Sequence, residues 1–74
     1  MFLDNISVGK TVKIIKLLST GIKRKRLLDL GFIKGTKVSV LNKSPFGNPV
    51  AYLLRGAVIA LRKEDAKNIL VLEF

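Results

Sequence analysis

The sequence predicts a mainly β domain: a small, closed or nearly closed barrel of about five strands, with one short α-helix between the first two strands. Short segments rich in β-branched and apolar residues recur along the chain, and turns containing glycine or proline separate them. One stretch alone has the leucine spacing of a helix. The chain of 74 residues has room for one domain, 1–74, and closing so small a sheet removes exposed strand edges.

Composition indicates a folded, soluble protein of a reducing compartment. Hydrophobic residues make up 49% of the chain, which is more than disordered sequences contain. There is no cysteine, so disulfides and thiolate metal sites are excluded. The longest apolar runs are of five or six residues, far short of the roughly 20 that span a bilayer, and the first residues do not resemble a secretory signal. We therefore expect a cytoplasmic protein with no direct membrane insertion.

The chain begins with a weak turn signal, which a strand follows. Residues 3–6 can form one short helical turn, and the β-branched stretch 11–18 predicts the first strand. The tripeptide at 9–11 resembles the end of a phosphate-binding P-loop, but that motif requires glycine where Asp4 stands. A P-loop also leads into a helix, whereas this tripeptide leads into a strand. We therefore interpret it as a turn.

A short basic helix follows the first strand. Ser19 or Thr20 can cap it by accepting a hydrogen bond from an otherwise unpaired amide. Leu27 and Leu30 lie three residues apart on one helical face, and we expect both to be buried. Gly31 comes next, and glycine adopts the left-handed conformation that ends a helix at the lowest cost. The helix is therefore predicted to end at Gly31.

The helix is predicted to pass directly into a turn and a second strand. Phe32 falls where a contact back to the last helical turn is expected. Gly35 stands where a type II turn requires positive φ, and the alternation over 37–40 predicts a half-buried strand. Two prolines and a glycine predict a loop over 41–49. Phe46 at its tip either folds back onto the core or is exposed as a contact.

The last third of the chain contains a predicted hairpin and a closing strand. Segments 50–55 and 57–62 are strand-like and are hinged at Gly56. Residues 63–68 form a helical turn at most, and 69–74 predicts the final strand. No internal repeat interrupts this order.

Four consecutive basic residues occupy the predicted helix: Lys23, Arg24, Lys25 and Arg26. The net charge is +9, a balance typical of proteins that meet nucleic acid, an acidic membrane surface or an acidic protein partner. The run lies near the helix start, where the helix dipole does not favour cations. It is therefore a candidate docking patch, and a merely solvated helix surface is the alternative.

Several segments together carry a resemblance that none carries singly. They are 26–32, 35–38, 45–49, 55–56 and 60–63, with Ala66 and Ile69. In this order and spacing, across about residues 3 to 71, they resemble the FeoA family of small cytoplasmic ferrous iron transport proteins A. Lys34 departs from the family, which often places proline before the turn glycine. Lysine can adopt the same conformation, so the departure loosens the turn without changing the assignment.

The resemblance implies a fold, a partner and a role. The fold is an SH3-like β-barrel with one helix inserted between strands 1 and 2. The partner is FeoB, a membrane permease for ferrous iron with a cytoplasmic GTP-binding domain. The role is that of a cytoplasmic accessory or adaptor protein of ferrous iron uptake, which docks on FeoB, regulates it and is held at the inner face of the membrane through that partner.

The residue types argue against an iron site and against catalysis. Ferrous iron prefers imidazole and carboxylate ligands, whereas this chain has no histidine and five acidic residues in a net charge of +9. Glu64 and Asp65 are adjacent, and adjacent residues of a helical turn face different ways. No nucleophile or acid–base pair can be named. We therefore expect no metal, no cofactor and no enzymatic activity.

Two classes of function remain, a protein adaptor and a nucleic-acid-binding small barrel. The charge suits both equally, but four Phe, one Tyr and no Trp give no evident strand face for base stacking, so we favour the adaptor without nucleic acid. The predicted partner contacts are basic or aromatic: Lys23, Arg24, Lys25, Arg26, Phe46, Tyr52 and Arg55. The predicted structural residues are Leu27, Leu30, Gly31, Gly35 and Gly56.

Overall fold

The computed structural model describes residues 1–73 and confirms the predicted mainly β architecture. In chain order the elements are a 3₁₀ helix Leu3–Asn5, β1 Thr11–Leu17, α1 Gly21–Leu30, β2 Lys37–Lys43, β3 Val50–Leu54, β4 Ala57–Leu61, α2 Lys63–Ala66 and β5 Ile69–Glu73. The longest helix lies between β1 and β2, as predicted. Phe74, the last residue of the predicted final strand, lies outside the described residues.

All five strands of the described chain form one antiparallel sheet, in the order β4-β3-β2-β1-β5. The register is irregular between Ile14 and Lys16 in β1, and between Val40 and Asn42 in β2. A bulge of this kind bends its strand and increases the local twist, which lets a small sheet curl around a core. The pairing leaves β4 and β5 as the two edges of the sheet.

Alternate strand residues point into a single core. In β3, Val50, Tyr52 and Leu54 are buried, whereas Leu53 between them is exposed. The bulkiest fully buried side chains come from the 3₁₀ helix, four of the strands and the corner after α1: Tyr52, Phe32, Leu3, Ile14, Leu54, Ile69, Val12, Val38, Val40 and Val71. Period-2 burial of this kind is the reason that strand prediction from alternation succeeds.

The end of α1 is built as the sequence predicts. Gly31 has φ 105° and ψ 5°, and its N–H donates to the carbonyl oxygen of Leu28 at 3.0 Å. The N–H of Phe32 donates to the carbonyl oxygen of Leu27 at 3.0 Å. Together these two bonds satisfy the last carbonyl groups of the helix, as in a Schellman motif. Leu27 is 2% exposed, which confirms its predicted burial. Leu30 packs against the core but is only half-buried.

The start of α1 differs from the prediction. Thr20 is the N-cap residue with extended backbone, yet neither it nor Ser19 donates or accepts a side-chain capping bond. Gly21 follows with φ +61°, a value that favours glycine. The chain thus turns into the helix through the backbone freedom of Gly21, and the side-chain cap expected from Ser19 or Thr20 is wrong.

The turn between α1 and β2 is confirmed, but the following strand is longer than predicted. Gly35 has φ +90°, and the N–H of Thr36 donates to the carbonyl oxygen of Ile33 at 3.0 Å. β2 then continues to Lys43, because residues after the Val40–Asn42 irregularity resume pairing with β3. The loop predicted over 41–49 therefore begins only at 44. Proline and glycine correctly predict the loop over 44–49. Residues 41–43 belong to β2 because β3 pairs with this part of the chain.

Gly56 lies at the hairpin hinge, as predicted. Leu54 pairs with Ala57 across a two-residue turn, in which Arg55 has φ +52° and Gly56 has φ +77°. Two successive positive φ values are the signature of a type I′ turn, whose twist matches that of paired strands. The first strand, by contrast, ends at Leu17, one residue earlier than predicted.

Candidate docking surface

α1 exposes its basic residues over its first turns. Lys23, Arg24, Lys25 and Arg26 are all exposed, whereas Leu27 anchors the helix in the core. Four successive residues cover more than one turn of 3.6 residues, so they cannot share a face. Arg24 borders a hollow beside β1, Lys23 and Arg26 line one beside β4, and Lys25 lines neither.

Arg24 is directed toward β1. Its Nη1 donates a hydrogen bond to the carbonyl oxygen of Leu17 at 3.3 Å. It borders a hollow of about 310 Å³ together with Leu28, Ile33 and the two lysines Lys16 and Lys34. Arg24 therefore contacts the end of β1 and does not line the hollow that Lys23 and Arg26 share.

Lys23 and Arg26 are directed toward the opposite side, where α1 faces β4. A groove of about 270 Å³ lies between these elements and α2; we call it the α1–β4 groove. It is lined by Lys23, Arg26, Leu27, Leu30, Ala60, Leu61, Arg62, Glu64 and Asp65. Four of the lining residues are apolar, and Lys23 and Arg26 line the groove from α1.

The basic side chains on the α1 side of the groove form no ion pair within residues 1–73. Over residues 1–73, the ion pair present is that of Lys10 Nζ with Glu73 Oε1, at 3.8 Å. Lys23 and Arg26 therefore have no carboxylate of this described chain within ion-pair distance, although Glu64 and Asp65 line the same groove. Long basic side chains beside apolar residues can bind acidic groups through their charge and cover apolar groups with their aliphatic stems.

Tyr52 was predicted to contact the partner, and this prediction is wrong. Its side chain is 1% exposed and packs edge-on against Phe32, with ring centroids 6.5 Å apart and an interplanar angle of 86°. Burial, followed by the nearby negative charge of Asp4, raises the pKa of Tyr52 to about 12. The alternation of β3 explains the error, because it places Tyr52 on the inner face with Val50 and Leu54.

Phe46 and Arg55 are exposed but lie outside the α1–β4 groove. Phe46 is 97% exposed in the loop before β3, which decides between the two predicted alternatives in favour of exposure. Arg55 occupies the β3–β4 turn, and its Cδ lies 3.7 Å from where a Cβ on Gly31 would stand. Neither residue lines the groove with Lys23 and Arg26. The structure therefore does not gather the predicted contacts into one patch.

The sequence reasoning missed the β4 side of the groove. Ala60, Leu61 and Arg62 form that wall, yet Ala60 and Leu61 carry no charge or aromatic ring that would mark them as contacts. A sequence signal existed, because residues 57–61 are a run of five apolar residues, and within residues 1–73 this strand pairs with β3 alone. That signal acquires meaning only when the order of the strands is known.

A model of the FeoA domain matches residues 1–73. The chain belongs to the FeoA domain family. Its relatives include the Fe(2+) transport protein A/Fe(2+) transporter FeoB fusion protein of Porphyromonas gingivalis strain ATCC BAA-308 / W83, which is 34% identical over 69 residues. These residues are 93% of this chain and 8% of that protein, so the chain spans a small part of this relative's length.

Solved structures of FeoA proteins have the same fold. The solution structure of a FeoA-like protein from Clostridium acetobutylicum matches with 34% identity and a TM-score of 0.92, over 99% of this chain and 85% of that one. Stenotrophomonas maltophilia FeoA, a procaryotic SH3 domain protein complexed with zinc, matches with 27% identity and a TM-score of 0.84, over 96% of this chain and 88% of that one. The predicted SH3-like fold is therefore confirmed.

Membership places the chain among non-catalytic accessory domains linked to ferrous iron transport. Within residues 1–73, no group of three or more His, Cys, Asp or Glu side chains is arranged to hold a metal ion. Across the same residues, no helix has the length and apolar character needed to cross a bilayer. The candidate docking surface of this FeoA domain is the α1–β4 groove with Lys23 and Arg26.

Proposed function

We propose that this protein is a cytoplasmic accessory protein of ferrous iron uptake, which docks on the transporter FeoB through protein–protein contacts and regulates it. One observation carries the proposal: the cationic wall of the α1–β4 groove, formed by Lys23 and Arg26, has no ion-pair partner within residues 1–73. The relative that joins an Fe(2+) transport protein A to FeoB in one chain supports the choice of partner.

The net charge of +9 supports docking by electrostatic attraction. Complementary charge accelerates encounter and fixes orientation, and its effect falls as salt screens it. The accessible parts of Leu30 and Ala60, which line the groove, then supply apolar contact area after encounter. The acidic surface that this arrangement fits lies on the partner.

Nucleic-acid binding is less well supported. Single-stranded nucleic acid is bound by aromatic side chains on which bases stack, and Phe32 and Tyr52 are buried in the core. Phe46 is exposed in a loop, away from the basic wall of the groove. The described chain thus presents positive charge without a stacking platform, which favours a protein partner.

The test pairs two charge-reversal variants. In the first, Lys23→Glu and Arg26→Glu reverse the groove wall; in the second, Lys13→Glu and Lys43→Glu make the same change of net charge on exposed strand residues. Binding to intact FeoB in nanodiscs is titrated at low and moderate salt. We expect the groove variant to bind about tenfold more weakly at low salt and to lose most of its salt dependence.

The control variant should bind within about threefold of the parent, and thermal melts should show that both variants fold, since exposed substitutions usually change stability by about 0.5 kcal/mol or less. Equal weakening of both variants would mean that net charge alone matters. A groove variant that binds like the parent at both salts would refute docking through this wall. The effect on regulation is then read from GTP hydrolysis by FeoB with and without each variant.

A further inference from the structure

The two edge strands of the sheet, β4 and β5, differ in how their outer backbone groups are paired. The edge of β5 is covered by the N-terminal segment, because Phe2 forms a bridge with Leu70 and the N–H of Val71 donates to the carbonyl oxygen of Met1 at 2.8 Å. β4 pairs with β3 on one side, and no other strand of residues 1–73 pairs with its second side. One edge is thus closed by the chain itself, and the other is open.

The hairpin turn determines which groups of β4 point outward. Leu54 and Ala57 flank the two-residue turn and are therefore a hydrogen-bonded pair. Hydrogen-bonded and non-hydrogen-bonded pairs alternate along an antiparallel ladder, so the N–H and C=O groups of Val58 and Ala60 point away from β3. Neither residue makes a backbone bond to a turn, loop or helix of the described chain. These outward donors and acceptors are spaced as an added strand requires.

β4 lacks the usual defences of an open edge. Natural edge strands carry charged residues, proline or bulges that discourage pairing. The residues of β4 are all uncharged and contain no proline, and its register with β3 is unbroken over the whole strand. Val58 is 63% exposed, beside its cross-strand neighbour Leu53, which is 36% exposed. An undefended apolar edge of this kind is typical of strand-addition sites.

The charges beside this edge select the occupant. The C-terminal half of β4 forms one wall of the α1–β4 groove, and Lys23 and Arg26 stand on the other wall. A second copy of this chain would bring its own charge of +9 against these cations. An extended segment with carboxylates would be attracted instead, with its acidic side chains on the α1 side, away from Glu64 and Asp65 of α2.

We propose that the open edge of β4 binds an extended acidic segment of the partner as a sixth strand, with its backbone bonded to Val58 and Ala60 and its carboxylates facing Lys23 and Arg26. This inference rests on the proposed function, in which FeoB is the partner, and adds the binding mode and the chemistry of the bound segment. Backbone pairing supplies affinity, and the charged wall supplies selectivity.

Two substitutions at one position separate backbone pairing from side-chain contact. Val58→Pro removes an N–H that points away from β3 and leaves the bonds between β3 and β4 in place, as edge prolines do. Val58→Thr changes the side chain and keeps that N–H. In titrations with intact FeoB in nanodiscs, we expect Val58→Pro to bind about tenfold more weakly and Val58→Thr to bind within about threefold of the parent.

Amide hydrogen exchange on the unaltered protein gives a readout that does not depend on the folding of a proline variant. Exchange at Val58 and Ala60 should slow at least about tenfold when FeoB is added. A synthetic peptide that alternates valine and glutamate should slow the same two amides, and a valine–lysine peptide of equal length should not. The peptide arm tests the edge without the transporter.

The outcomes separate the two proposals. If FeoB binds but exchange at Val58 and Ala60 is unchanged, the sixth-strand inference is overturned and the adaptor function stands. If FeoB does not bind while the glutamate peptide slows both amides, the proposed partner is wrong and the edge remains a site for acidic segments. If exchange at Val58 and Ala60 slows as the concentration of this protein rises, without FeoB or peptide, the edge pairs with a second copy of the chain. That result would overturn the proposal of an acidic segment.

Discussion

Tyr52 is the one tyrosine of the chain, and its ring lies in the core. Burial raises its pKa to about 12, so the native protein holds this proton through a pH range in which the unfolded chain, with a pKa near 10, releases it. The stability linked to this proton is therefore complete below pH 10 and is lost as the pH rises from 10 to about 12.

We predict that Tyr52→Phe flattens the alkaline loss of stability. The parent should lose on the order of 2 kcal/mol more than the variant between pH 9 and pH 12, because phenylalanine has no proton to release. Urea unfolding of both proteins at several pH values, followed by circular dichroism, measures the difference. Parallel stability curves for the two proteins across this range would show that the pKa of Tyr52 is the same in the native and unfolded states.

Gly31 adopts a left-handed backbone conformation at the end of α1. A Cβ there would lie 3.5 Å from Leu54 Cδ1, which is ordinary contact, so space does not exclude alanine. The cost comes from φ 105°, which L-residues rarely adopt.

We predict that Gly31→Ala lowers the free energy of unfolding by about 1–2 kcal/mol and that Gly31→Val lowers it further, since a β-branched side chain tolerates positive φ least. Chemical denaturation of the three proteins gives the values. If the alanine and valine variants had the same free energy of unfolding as the parent, the backbone would have to leave the left-handed region at no cost in stability.

At the scale of elements, two leucines of α1 pack against the core to different depths. Leu27 is 2% exposed, whereas Leu30 is half-buried and both line the α1–β4 groove. We predict that Leu27→Ala lowers the free energy of unfolding by about 2–5 kcal/mol, as full burial requires. Leu30→Ala should cost about half as much or less, because part of that side chain already contacts water.

Thermal or urea unfolding measures both leucine variants, with Lys25→Ala as an exposed control on the same helix. Leu30→Ala should also weaken binding to FeoB, whereas Lys25→Ala should change neither property greatly. Equal costs for the two leucines would contradict the difference in their burial.

At the scale of the whole molecule, charge and ligand chemistry oppose a resident metal ion. We predict that Fe²⁺, or Mn²⁺ as a stand-in, produces no saturable rise in melting temperature, because such a rise requires a site in the native state. Differential scanning fluorimetry over a range of metal concentrations tests this. A saturable rise that disappears in Glu64→Gln or Asp65→Asn would overturn the interpretation of the protein as an adaptor without iron.

Local patterns determined much of the fold by themselves. Alternation located the start of β2, runs of β-branched and apolar residues located the other strands, and Gly31, Gly35 and Gly56 lie at the helix end and the two turns that their sequence context predicts. These features depend on the φ preference of one residue and on a period of two, both of which act over a few neighbours. The same locality explains the errors: no side-chain cap forms at Thr20, and β2 extends to Lys43 because a distant strand pairs with it.

The candidate site was less predictable, because its character depends on residues far apart in the chain. The sequence identified the basic run 23–26, but the helix turns Lys23 and Arg26 toward β4 and Arg24 toward β1. It could not exclude Tyr52 as a contact, since an aromatic residue in an apolar strand suits either face until the register is set.

The sequence by itself determined the mainly β class, the single inserted helix, the family resemblance and the excess of positive charge. Each follows from residue type or from spacing along the chain. The tertiary structure alone decided that β4 is an open edge, that the N-terminal segment covers β5 and that α1 lies across a groove from Ala60 and Leu61. Strand order and edge exposure arise from pairings between residues distant in sequence, and no local propensity specifies them.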